Sequence, residues 1–66
     1  MFSPIIATAR DLETRETRII ADALYDVRAH STRNAQVRVV RFAAIDLGWS
    51  EAEVWREVNR LAGDLP

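Results

Sequence analysis

The chain has 66 residues, a formal net charge of −1 from nine cationic and ten acidic side chains, no Cys and a single His. A domain of this length buries only about 60% of the surface its unfolded chain exposes. Without Cys or a second His, disulfides, thiolate metal sites and His-rich clusters are excluded as staples. With 48% hydrophobic and 29% charged residues and only two Gly and two Pro, the composition is that of a compact helical chain with a thin core, for which oligomerisation is the remaining support.

Residues 1–66 are read as one helical domain, with residues 1–10 as a leading segment. Ser3-Pro4 has the form of a cap followed by a proline at the first helical position, so Ile5 to Ala9 can begin a helix or a short turn. The first main helix is predicted over about residues 11–29: Leu12, Ile19, Ile20, Ala23, Leu24 and Val27 make one apolar stripe, with Arg15, Arg18, Asp22 and Asp26 opposite. Glu16 falls in the middle of that stripe and implies a bend or an overhanging first turn. His30-Ser31-Thr32-Arg33-Asn34 interrupts the pattern with side chains that favour turns and N-caps.

A second helix is predicted over about 34–47. Val37, Val40, Ala43, Ala44 and Leu47 form its apolar face, while Phe42 and Ile45 project to the other side with Arg38 and Arg41. A helix apolar on two sides is central or meets another chain. Gly48 is the expected left-handed terminator, and Ser50 with Glu53 forms an S-x-x-E capping box, flanked by Trp49 and Val54 at the staple positions. The third helix, about 51–62, should bury Val54, Val58, Leu61 and Ala62, with Trp55 at the margin and Gly63 closing it. The fold class is therefore all-α: a small bundle of three helices with a corner between the last two.

Ala43 through Leu61 resembles a helix-turn-helix. Small Ala44, the Leu47-Gly48 turn and Val54 match the motif's close contact, turn and core anchor, and Val58-x-x-Leu61 is similar to the late anchors of MarR-type winged-helix regulators. Those regulators carry a β-hairpin after the second helix, and only three residues follow Gly63, so the likeness is to a wingless version. The resemblance implies DNA binding as a dimer. It departs from the motif at Trp49, where a medium aliphatic is usual, and at Glu51, Glu53 and Glu57, which repel phosphate. A second likeness, to ubiquitin-associated domains, rests on Leu47-Gly48-Trp49-Ser50, and that family has a further helix.

For DNA, Ser50, Ala52, Arg56, Asn59 and Arg60 are the candidates on the third helix, with Arg33, Arg38 and Arg41 near the phosphates. The last three lie in the acid-free stretch between Asp26 and Asp46. The plainer reading is that Glu53-Arg56 and Glu57-Arg60 pair on a solvated face. For a partner protein, Tyr25, Phe42, Ile45 and Trp55 are the candidate anchors, aromatic residues being frequent hot spots. The competing reading of Phe42 and Ile45 is burial under the first helix. Asp22, Asp26 and His30 recur every fourth residue, but the drift of a 3.6-residue helix and an Arg18-Asp22 pair explain them without a metal. Ser3, Ser31 and Ser50 are caps rather than nucleophiles, and no Gly-rich phosphate loop is present.

The sequence thus predicts a non-enzymatic protein without cofactor or metal, cytoplasmic and homodimeric, with no apolar run near the roughly 20 residues that span a bilayer and no secretory signal at Met1-Phe2-Ser3-Pro4. DNA-binding regulation is the first function expected. A phage- or plasmid-encoded inhibitor or adaptor that covers a partner protein is the alternative.

Overall fold

The computed structural model describes residues 12–64; the expectations for Ser3-Pro4 and for Ile5 to Ala9 lie outside them. Among the described residues there are three helices, α1 (Thr14–Ala29), α2 (Arg33–Leu47) and α3 (Glu51–Asp64), and no strand. Each helix packs against the other two.

Local chemistry sets the helix ends. At the start of α1 the Glu16 carboxylate accepts from the Glu13 backbone N–H at 3.1 Å, which stabilises a free donor of the first turn. This explains the acid in the apolar stripe: α1 starts at Thr14 rather than near Asp11, and Glu16 faces the helix entrance while Leu12 packs on the core from outside the helix. At the other end of α1 the Gln36 side-chain amide donates to the carbonyls of Val27 and His30, at 3.2 and 2.9 Å. Thr32 then caps α2, its hydroxyl accepting from Ala35 N–H at 3.3 Å.

Gly48 ends α2 with φ 70° and ψ 29°, a left-handed conformation that a Cβ disfavours. Trp49 N–H returns to the Ala44 carbonyl at 3.0 Å and Gly48 N–H to Ile45 at 3.3 Å, the reversed bonding pattern of a Schellman end. Arg15, from α1, donates to the Asp46 carbonyl at 3.1 Å, bringing a cation to the negative end of the α2 dipole. The capping box of α3 is formed in both directions: Glu53 N–H donates to Ser50 Oγ at 3.1 Å, and Ser50 N–H to Glu53 Oε1 at 3.0 Å. Ser50→Ala is accordingly expected to destabilise the domain by about 0.5–2 kcal/mol, read as a lower midpoint of thermal unfolding; an unchanged melt would mean that the cap contributes nothing.

The core comprises Ile20, Ala23 and Leu24 of α1, Val40, Ala43 and Ala44 of α2, and Val54 and Val58 of α3. Small Ala43 and Ala44 let helix axes approach closely. Leu61, Ala62, Trp49 and Trp55 pack on this cluster while staying partly exposed. Two expectations need correction. Gly63 does not terminate α3, which continues to Asp64 without positive φ at Gly63. Glu57 is not at a solvated edge: it is 3% exposed and belongs to the interior.

Candidate functional site

On α3, Ala52, Arg56 and Asn59 are all exposed, and their spacing of four and three residues puts them on one outward line. Ser50, also exposed, precedes α3, and its hydroxyl is engaged in the cap, accepting from Glu53 N–H and donating to Glu53 Oε1. Arg56 makes no ion pair among the described residues, so the expected Glu53-Arg56 pair does not form. Arg60 departs from the line: its Nε donates to Glu57 Oε1 at 2.9 Å and its Nη1 to Asp64 Oδ2 at 3.4 Å. Because Glu57 turns inward, one of the three carboxylates expected to repel phosphate is absent from the outer face of α3.

The cations beside this line differ in their engagements. Arg41 Nε lies 3.4 Å from Glu51 Oε2, with both side chains largely in solvent, so the pair is worth little in water. Arg33 sits over the Trp55 ring, 4.8 Å from its centroid. This contact covers the exposed side of a half-buried indole and is worth about 0.5–1 kcal/mol. Arg38 is exposed and, among the described residues, holds no ion pair.

The candidate anchors on the protein-binding side separate into two groups. Trp55 is half-buried under Arg33. Tyr25, Phe42 and Ile45 are open, at 76%, 67% and 70% exposure, which overturns burial of Phe42 and Ile45 under α1. Phe42 borders a groove of about 240 Å³ between α1 and α2, floored by Ile19, Ala23, Val39 and Ala43. Asp22, Asp26 and Asp46 rim it, and none of the three makes a side-chain ion pair among the described residues. The expected Arg18-Asp22 pair is therefore not formed. Tyr25 borders a second shallow groove with Leu24, Arg28 and Leu61, between α1 and α3.

Among the described residues no three His, Asp or Glu side chains are placed to hold a metal ion; His30 is the C-cap of α1 while Asp22 and Asp26 belong to the α1–α2 groove. No helix of the described residues is long and apolar enough to cross a membrane. Sequence reasoning missed Glu16, Gln36 and Glu57 as structural residues. The signal for Glu57 was its place on the same helical stripe as Val54, Val58 and Leu61.

Among the described residues, the fold and these surfaces define a small all-α bundle of three helices with two outward faces, one polar on α3 and one apolar on α2. Comparison with protein-family models, curated proteins and solved structures finds no match to this chain.

Proposed function

We propose that this chain is a small, non-enzymatic DNA-binding regulator that presents α3 to the duplex from a helix-turn-helix-like corner. The observation that carries the reading is the outward line Ala52, Arg56, Asn59 on α3, all three exposed, with the Glu53 carboxylate drawn to the Ser50 cap at the start of the helix. A small residue at its start allows close approach, a guanidinium can bridge the acceptor edge of guanine, and an Asn amide matches adenine. Arg33 and Arg41, on the flank of α2 nearest α3, and Arg38 beside them supply the phosphate contacts.

Fluorescence anisotropy on duplex DNA from upstream of its own gene, titrated with salt, tests this. The logarithm of the binding constant should fall linearly with that of salt, at about −0.9 per phosphate contacted. Arg56→Ala should weaken binding to the preferred sequence by about 1–3 kcal/mol and relax discrimination at one base pair. A folded protein with no salt-dependent DNA binding at low ionic strength would refute the reading.

A second reading is supported by the exposure of Tyr25, Phe42 and Ile45: a module of the inhibitor or adaptor kind that covers a partner protein, its anchors these apolar side chains with Arg38 and Arg41 around them. Under this reading DNA binding is absent and Tyr25→Ala or Phe42→Ala abolishes capture of the partner.

A further inference from the structure

We propose that the outer face of α2 is a self-complementary dimer interface, occupied by a second copy of this chain whose α2 runs parallel to the first. Phe42 and Ile45 form its centre. The Arg38 and Arg41 margin of each copy lies over Asp22, Asp26 and Asp46 of the other.

Single exposed apolar side chains are ordinary on soluble proteins. Here two large ones share a helix crest and stand beside a groove with an apolar floor. The charges around them are ordered. At about 100° per residue, Arg38, Arg41 and Ile45 fall on one side of Phe42, and Val39, Ala43 and Asp46 on the other, toward α1. Across the face the sequence is therefore basic margin, apolar crest, acid-rimmed groove. Arg38 and the three aspartates have no side-chain ion pair among the described residues, and the Arg41–Glu51 contact is exposed at 3.4 Å.

This order selects both the occupant and the symmetry. A polyanion would match only the basic margin, and a basic partner only the acidic groove. A second copy matches both at once, because an isologous interface pairs each patch with its counterpart twice. A two-fold axis running along α2 exchanges left and right and lays basic on acidic. An axis across α2 would lay like charge on like, which is unfavourable. Parallel α2 helices follow. Dimer formation also supplies apolar burial to a chain whose own core is small, so its stability should rise with concentration.

The inference does not depend on α3 meeting DNA. In the dimer Arg38 and Arg41 are turned to the second copy, so of the three arginines assigned to phosphate above only Arg33 remains for it, and Arg56 keeps its place on the outward line of α3.

Sedimentation velocity over about 1–100 µM, the range in which a micromolar dimer dissociates, provides the test, with far-UV circular dichroism confirming that each variant is folded. The parent should dimerise. Phe42→Asp should raise the dimer dissociation constant by about 30-fold or more, as for a central anchor. R38E with R41E should do the same, as should D22R with D26R, each by facing like charges. An equimolar mixture of the two charge-reversed proteins should dimerise again, since each then meets opposite charge in the other. A monomeric parent overturns the proposal, as do charge-reversed variants that dimerise alone or a mixture that stays monomeric. A monomeric parent that dimerises once residues 1–11 are removed would assign the groove to the chain's own leading segment, also against the proposal.

Discussion

Ile20→Ala is expected to leave little folded protein at 25 °C. Ile20 is 1% exposed and lies in the core cluster with Val40, Val54 and Val58. Truncating a buried Ile to Ala costs about 2–5 kcal/mol, the loss of transfer energy plus the cavity left behind. A single core in a chain below about 70 residues rarely supplies more than 3–5 kcal/mol. The substitution therefore removes most or all of the stability. Far-UV circular dichroism at low micromolar concentration, where association adds least, should show the helical signal lost or the melting midpoint far below the parent's. Phe42→Ala provides the contrast: at 67% exposure it should leave the melt of the monomer nearly unchanged. A parent-like melt for Ile20→Ala would mean that the cluster around it is not the core.

Much of the fold was legible because strong local signals agreed. Gly48, Ser50 and Glu53 specify the α2–α3 corner through backbone conformation and caps that act over a few residues, and they stand as read. The apolar spacing of Ile20, Ala23, Leu24, Val40, Ala43 and Ala44 likewise identified most of the core. The misreadings came where the same residue type serves two physical roles. Glu16 breaks a hydrophobic stripe only if it is taken as mid-helix; as the third residue of α1 it is a cap. Gly63 resembles a terminator, yet a glycine can also sit in a final helical turn at a cost of about 1 kcal/mol. Gln36 carries no local signal of its role, since only the fold brings its amide to the end of α1.

The candidate site was legible in part. Ala52, Arg56 and Asn59 share a face by helical period alone, so their common exposure could be read in advance. Whether Phe42 and Ile45 are covered depends on where α1 crosses α2, which no local pattern specifies. The engagement of Arg33 with Trp55 and of Arg41 with Glu51 joins different helices, so it too requires the tertiary arrangement.

Glu57 is the second place where a large effect is expected, and the direction depends on what replaces it. Its carboxylate is nearly inaccessible and accepts from Arg60 Nε at 2.9 Å, while the Arg60 side chain is 37% exposed and also reaches Asp64. Glu57→Arg would place a cation beside Arg60 in a site without water to solvate it. Burying an uncompensated charge costs about 3–5 kcal/mol, comparable to everything the core supplies, so this variant should be unfolded. Glu57→Met removes the buried charge and keeps the volume; Arg60 retains Asp64 and solvent, and the change should be close to neutral. Arg60→Ala falls between them, costing about 1.5–3 kcal/mol for a hydrogen bond to a charged group, toward the lower end because half-exposed groups are screened. Urea denaturation should therefore give parent and Glu57→Met the highest midpoints and Arg60→Ala a lower one, with Glu57→Arg showing no folded baseline, the slope being unchanged among the folded variants. A Glu57→Arg protein with the parent's midpoint would place the carboxylate outside the core. The ranking also bears on any assay of binding: lost binding in Glu57→Arg would report lost structure, whereas lost binding in a folded Arg56→Ala protein reports the surface of α3 itself.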